Sequence, residues 1–186
     1  MQLQNKLMGK PYIMKDVNGV RFGIIGLTLP ELFTTSLPAN VTDLVMLNAD
    51  SVLTVNINEV KSKGADIVVV LSHSGIETDK MIAEKFYADV DIIVGGHSHT
   101  TLFKPIRKNG VVIVQAGSHG RNLGKLDLKI DTEKDTLSEA YGVLIETVLD
   151  SAIFDKDAAV KVDNMIAEYL PELSVKIGTL ETDWRA

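Results

Sequence analysis

Two almost wholly apolar segments, ADIVVVLSH at 65–73 and VDIIVGG at 90–96, constrain the fold more than any other feature of the chain. Both have the length of strands, and an unbroken apolar run is typical of a strand buried on both faces of a parallel sheet. Between them, residues 77–90 carry an apolar stripe at helical spacing, with Thr78 as a candidate N-cap. The order strand, helix, strand predicts a βαβ unit.

Four further segments of the chain are predicted to form strands. The dipeptides Asn18-Gly19 and Asn109-Gly110 each separate two extended segments, which is typical of tight β-hairpin turns. The two hairpins and two further strands are predicted at 11–28, 103–117, 123–131 and 137–148. The second half of the core is therefore antiparallel or mixed, and the predicted fold class is α/β with mixed sheets.

Three other segments need separate interpretation. In residues 51–64, apolar and polar residues alternate as they do in a strand. However, Asp50 and Ser51 are typical of a helix start and Gly64 of a helix end. A helix is predicted here, because parallel strands need a crossover connection. Residues 29–49 are predicted to be loop. From Asp155 onward, apolar residues at helical spacing predict a helix that ends near Pro171.

Composition and charge exclude several classes of partner. The net charge of −6 and the scattered basic residues argue against binding to a nucleic-acid polymer, which would need a basic stripe. The sequence has no apolar run of the roughly 20 residues that span a bilayer. The absence of cysteine excludes thiolate metal sites.

The histidines are the candidate functional residues. Only four occur in the chain, and His73 and His97 follow the two strands of the predicted βαβ unit. Open α/β sheets bind ligands at the carboxyl ends of their strands, so both side chains are expected at one crevice. A hydrogen-bonded structural histidine is the alternative for each of them.

His99 lies two residues after His97, and in extended backbone two such side chains point to the same side. They could then serve one metal ion, or one each of two adjacent ions. Gly95 and Gly96 would allow a sharp turn before them, although Gly-Gly is also ordinary chain punctuation. His119 lies in a glycine-flanked turn and is interpreted as a turn residue.

The sequence contains, in this order, the segments LSHSG at 71–75, VDIIVGGHSHT at 90–100, VVIVQAG and LGKLDL. Together these segments resemble the calcineurin-like metallophosphoesterases, and within them the bacterial 5'-nucleotidase and 2',3'-cyclic-nucleotide 2'-phosphodiesterase family. The match covers most of residues 10–131. The resemblance implies a partial four-layer αββα sandwich with a C-terminal linker helix. It also implies hydrolysis of nucleotides or other phosphate esters at two divalent metal ions, with Zn, Mn, Fe, Co and Ca as candidates.

By resemblance, His73 and His97 would bind one metal ion and His99 the other. Residues 1–150 would form the C-terminal half of the catalytic domain. Residues 151–186 would form the linker helix and the start of a truncated C-terminal domain. Family members are mostly secreted, periplasmic or attached to the cell wall. The location of this chain itself is unknown.

The sequence also departs from the family pattern. It contains none of the family's Asp-x-His, Gly-Asp and Gly-Asn-His motifs, so no catalytic residue is assigned. The chain alone is therefore expected to bind at most one metal ion weakly and to be inactive. A metal- or partner-binding α/β module without catalysis is the alternative. Sheet surface left uncovered is expected to cause self-association.

Overall fold

The computed structural model describes residues 2–3, 6–7, 9–29, 31–148 and 154–179. The chain divides into two compact units, Met1–Thr147 and Val148–Ala186. Their assignment to a catalytic half and a linker stays a prediction. The predicted start of a further domain falls partly on residues 180–186, outside the described residues.

The elements follow one another along the chain with these bounds. The strands are β1 (Gln2–Leu3), β2 (Lys6–Leu7), β3 (Tyr12–Val17), β4 (Val20–Leu27), β5 (Leu44–Val45), β6 (Ile67–Ser72), β7 (Ile92–Val94), β8 (Ile106–Lys108), β9 (Val111–Val114), β10 (Asn122–Asp131) and β11 (Thr136–Glu146). The α-helices are α1 (Leu32–Thr35), α2 (Ala49–Ser62), α3 (Ile76–Lys85) and α4 (Lys156–Tyr169). Short 3-10 helices lie at Pro38–Asn40 and Pro171–Ser174.

The main sheet has six strands in the order β3-β4-β6-β7-β9-β8. Strands β4, β6, β7 and β9 are parallel neighbours, while β3 and β8 pair antiparallel at the two edges. The βαβ unit, both hairpins and the mixed sheet are therefore confirmed. Strands β10 and β11 form a separate antiparallel hairpin, and β2-β1-β5 form a small third sheet.

Helices, sheet and hairpin form three successive layers. One face of the six-stranded sheet packs on α2 and α3 through a core that includes Leu53, Ile82 and Ile113. The other face packs on the β10–β11 hairpin through a second core that includes Ile67 and Val112. Because both faces are covered over much of their area, the central strands are apolar without alternation. This arrangement is the partial αββα sandwich that was expected.

Helix α2 confirms the helix predicted at 51–64. It begins after Asn48, whose side chain accepts a hydrogen bond from the Ser51 N–H at 3.0 Å. Leu53, Ile57 and Val60 are buried at helical spacing. The apparent alternation of this segment combines Leu53 and Ile57 on the buried helix face with the exposed Val55, and it does not reflect a strand.

The predicted N-cap of α3 was wrong. The helix begins at Ile76 after Gly75, whose φ of 85° is readily available only to glycine, so Thr78 lies inside the first turn. The Ser98 hydroxyl, from a distant loop, accepts the hydrogen bond of the Ile76 N–H at 3.1 Å. A tertiary contact therefore replaces the local cap.

The second unit contains α4, which begins after Asp155 as predicted. The Asp155 carboxylate accepts a hydrogen bond from the Ala158 N–H at 2.9 Å. The helix ends at Tyr169, and Pro171 starts the following 3-10 turn. In the described part of the chain, no helix combines the length and the apolar character that crossing a membrane requires.

Candidate metal centre

The loops that follow β6 and β7 bring the candidate ligands to one edge of the sheet. The two strands are parallel, and Leu71 is paired in register with Val94. Residues 72–75 and 95–100 therefore leave the sheet side by side. The His73 N–H donates to the Leu27 carbonyl at 2.9 Å, which also ties the first loop to β4. Topology thus places His73 and His97 together, as the strand order implied.

His73 and His97 form the first imidazole pair. Their ring centroids lie 5.4 Å apart, with an angle of 56° between the ring planes. Glycine is needed beside them, because a Cβ at Gly96 would lie 3.0 Å from the Nδ1 atom of His73. Gly75, on the other side, would place a Cβ 3.7 Å from His97. Gly96 therefore leaves space beside the His73 ring, whereas Gly75 is favoured by its positive φ of 85°.

The predicted extended backbone at His97 and His99 was wrong. Both residues have left-handed backbone, with φ of 69° and 55°. Residues two apart point to the same side only in extended backbone, so that argument does not apply here. The rings instead have different neighbours, since His97 lies beside His73 and His99 lies beside His119.

Gln115 holds this loop in its bent shape. It follows β9 and is 3% exposed, and its amide nitrogen donates to the Gly96 carbonyl at 2.9 Å. Its amide oxygen accepts hydrogen bonds from the Ser98 hydroxyl at 3.0 Å and from the Thr100 N–H. Sequence reasoning missed Gln115, although the one polar residue after the apolar run VVIV was a usable signal.

His99 and His119 form a second imidazole pair that was not predicted. Their ring centroids lie 5.5 Å apart at an interplanar angle of 64°. His119 also has left-handed backbone, with φ of 56°, in a turn closed by the Arg121 N–H and the Ser118 carbonyl at 3.2 Å. Its interpretation as a turn residue describes the backbone but not the neighbour of the side chain.

Asp79 lies buried beneath the glycine turn. It is 0% exposed, and within the described part of the chain neither carboxylate oxygen has a hydrogen-bond partner. Burial raises the pKa of this carboxyl group, and the nearby Ser72 hydroxyl partly offsets the rise without reaching hydrogen-bond geometry. The carboxylate occupies the space where a Cβ at Gly95 would lie. Sequence reasoning did not distinguish Asp79 from the other acidic residues of this helix, which also include Glu77 and Glu84.

The donor set fits the beginning of a metal site. Imidazole is a good ligand for zinc and related divalent ions, and both pairs place two rings side by side. Among the residues whose positions are described, no group of three or more His, Asp or Glu side chains lies close enough to hold one ion. The described residues therefore present two pairs of neighbouring imidazoles, and each pair could supply two ligands.

A groove of about 1000 Å³ lies beside His73. Its walls include Leu71 of β6 and the exposed face of α2, including Val55. Asn56, a polar residue that is 6% exposed, also lines the wall. The groove thus joins His73 to a largely apolar surface.

Comparison with known proteins identifies the family. The chain is 34% identical to mouse 5'-nucleotidase over 171 residues, which is 82% of this chain and 28% of that protein. The 5'-nucleotidase precursor of Thermus thermophilus superposes with a TM-score of 0.72 at 27% identity, over 88% of this chain and 35% of that one. No protein-family profile matches the chain.

The fold is shared more widely. The sulfate thiohydrolase SoxB of Thermus thermophilus superposes with a TM-score of 0.80 over 91% of this chain and 31% of that chain, at 20% identity. The chain thus spans roughly a third of the length of each of these relatives or less. On the sequence match and the shared fold, the chain belongs to the 5'-nucleotidase family of calcineurin-like metallophosphoesterases.

Proposed function

We propose that this chain carries the histidine side of a two-metal site for phosphoric-ester hydrolysis, of the 5'-nucleotidase or 2',3'-cyclic-nucleotide phosphodiesterase type. One observation carries the proposal: His73 and His97, from the ends of two neighbouring parallel strands, lie 5.4 Å apart ring to ring. The names of the relatives support nucleotides or other phosphate esters as substrates.

His73 and His97 would hold one divalent ion, and His99 would contribute to a second. When bound, such ions polarise a phosphoryl group and activate water for attack. The protein's own contribution is to position the ligands. Gln115 and Ser98 fix the loop that carries His97 and His99, and the small Gly96 allows His73 to approach. A ligand fixed before binding loses less conformational freedom when the ion arrives.

The isolated chain is proposed to bind at most one ion, weakly, at the His73–His97 pair and to hydrolyse esters poorly or not at all. A structural zinc ion takes four ligands and a catalytic one usually takes three from the protein. Each imidazole pair supplies two. The described residues also bring no carboxylate to either pair that would bridge two ions.

Metal binding and hydrolysis test this proposal together. Zinc titrations monitored by calorimetry are expected to show that His73→Asn and His97→Asn each weaken binding at least about tenfold. The double variant should lose less affinity than the product of the two single losses, because both residues hold the same ion. Glu133→Gln, an exposed change on the β10–β11 turn, is the control.

The outcomes separate the candidate functions. Hydrolysis of bis(p-nitrophenyl) phosphate with Mn²⁺ should stay close to background for every variant. Turnover that disappears in His97→Asn would contradict the proposed inactivity and support an active enzyme. Unchanged zinc affinity in both single variants would contradict the metal site. Zinc binding without turnover would agree with a metal-binding module.

We further propose that the chain self-associates through its exposed sheet surface. Leu71 and Val94 are register neighbours on central strands, yet they are 48% and 38% exposed. Leu71 also borders the groove beside His73. Apolar surface of this kind usually has a partner, and a second copy would present the same surface about a two-fold axis.

Replacing both residues by threonine is expected to weaken self-association at least about tenfold, because apolar area is lost while β-propensity is kept. Light scattering over a range of protein concentrations measures the mass directly. Ile145→Thr on β11, where the original side chain is 47% exposed, is the matched control. A wild-type chain that is monomeric at high concentration would contradict this proposal.

A further inference from the structure

We propose that His119 is a metal ligand that shares an ion with His99. The inference deepens the proposed function, since it completes an imidazole pair for the second ion at the same edge of the sheet. Nothing in the sequence pattern assigned this role to His119. The proposal rests on the distance between the two rings, on the way their loops are joined, and on their access to solvent.

The ring separation suits a shared ion. Two imidazoles bound to one tetrahedral zinc, with Zn–N distances of about 2.0–2.1 Å, place their ring centroids roughly 5 Å apart. The centroids of His99 and His119 are 5.5 Å apart, nearly the same as the 5.4 Å between His73 and His97. A modest rotation about the side-chain bonds can turn a nitrogen of each ring toward a common point.

The two loops are joined by backbone contacts. The Gly117 N–H donates to the Thr100 carbonyl at 3.1 Å, so the chain just before His119 is tied to the chain just after His99. A Cβ at Gly117 would lie 2.8 Å from the Thr101 hydroxyl oxygen, which shows how closely the loops approach. The pairing of the rings therefore does not depend on flexible segments that happen to meet.

The backbone conformation points the same way. His99 and His119 both have left-handed backbone, with φ of 55° and 56°. This conformation is uncommon for residues other than glycine and costs conformational energy. Histidine is one of the few residues other than glycine that are enriched in this conformation, so the backbone at both positions readily accommodates an imidazole.

Both rings are accessible to an ion. His99 and His119 are exposed, so a metal ion can reach them without opening the core. The chain has only four histidines and no cysteine, and these four form two separate pairs. Two open imidazole sites, each with two protein ligands, therefore follow from the geometry of the described residues.

Long-range ¹H–¹⁵N spectra of the ¹⁵N-labelled full chain test this directly, because each of the four imidazoles gives its own signals. On addition of Zn²⁺, one ring nitrogen of His99 and one of His119 should shift to the metal-bound range with a common apparent Kd. In His99→Asn, the zinc-induced shift of His119 should be lost or require at least about tenfold more zinc. The signals of His73 and His97 should respond as before.

A variant gives a second readout. His119→Asn keeps a residue that tolerates left-handed backbone and removes the imidazole. It should change the absorption spectrum of the Co²⁺-loaded chain and weaken Zn²⁺ binding at His99 at least about tenfold. Asp135→Asn is the matched control, since it changes another residue with left-handed backbone, of φ 49°, in the turn after β10.

The results separate this inference from the proposed function. If His73 and His97 respond to zinc and the His119 nitrogen does not, the inference is overturned and the first metal site stands. If His99 and His119 respond and His73 and His97 do not, the inference stands and the proposed function loses its main support. If no ring responds to millimolar zinc, both are overturned.

Discussion

Gly95→Ala is expected to lower the free energy of unfolding by about 3 kcal/mol, as for severe overpacking of a core. The new Cβ would clash with the Oδ2 atom of Asp79 and would lie 3.0 Å from the amide nitrogen of Gln115. Asp79 is 0% exposed and cannot turn into solvent. Gln115 is held by its hydrogen bonds to the glycine turn and to Ser98. Neither neighbour can move away cheaply.

Urea denaturation monitored by circular dichroism measures the effect. Gly26→Ala is the matched control, because Gly26 lies in β4 and no heavy atom lies within 4 Å of its added Cβ. It should change stability by no more than about 0.5 kcal/mol. Gly95→Ala combined with Asp79→Ala should lose less than the sum of the two single changes, since the second removes the clash made by the first. A Gly95→Ala variant as stable as Gly26→Ala would contradict the close packing of this turn.

Asp79→Asn is expected to stabilise the chain at neutral pH by about 1–3 kcal/mol, because the raised pKa of Asp79 makes the folded state retain a proton that the unfolded state releases. Asparagine has nearly the same shape as aspartate but carries no charge. The raised pKa of Asp79 means that its ionised form is disfavoured in the folded state. The substitution removes that cost and keeps the packing.

The effect should depend on pH with a defined sign. The pKa of Asp79 is raised in the folded chain, so between about 4, the value in the unfolded chain, and the raised folded value, the folded state holds a proton that the unfolded state releases. Wild-type stability therefore falls as pH rises through that window. The advantage of Asp79→Asn should be small near pH 4, grow with pH, and then reach a plateau.

Denaturation of the metal-free chain at several values from pH 4 to 8 checks this. Glu133→Gln, which removes an exposed carboxylate, should show no comparable trend. A difference between Asp79→Asn and wild type that is constant over this range would show that Asp79 does not change its ionisation on folding. An asparagine variant that is less stable at neutral pH would show that the carboxylate has a partner that asparagine cannot replace.

The two variants also report on the candidate metal centre. Asp79 fills the space beside Gly95, at the start of the turn that leads to His97 and His99, and makes no side-chain hydrogen bond to a described residue. Gly95→Ala should therefore disturb zinc binding together with stability, whereas Asp79→Asn should raise stability and leave zinc affinity within about threefold of wild type.

Much of the fold was predictable from the sequence because it rests on local patterns. The apolar runs of β6 and β7, the turn dipeptides Asn18-Gly19 and Asn109-Gly110, and the stripe of α2 act over a few neighbouring residues. The start of α3 was not predictable in this way, since Ser98, a residue more than twenty positions away, caps it. Local cap residues predict a helix start only where no tertiary donor or acceptor competes for the same group.

The candidate site was likewise predictable from the sequence only in part. By itself, the sequence determined the α/β fold class, the βαβ unit and the position of His73 and His97 at the ends of parallel strands, because strand order and periodicity follow from short-range apolar patterns. Only the tertiary structure decided which ring lies beside which, that Gln115 holds the loop, and that Asp79 is buried beneath Gly95. Those contacts join residues from different loops, strands and helices. They depend on strand register and on left-handed backbone at His97, His99 and His119, which no short-range pattern in the chain encodes.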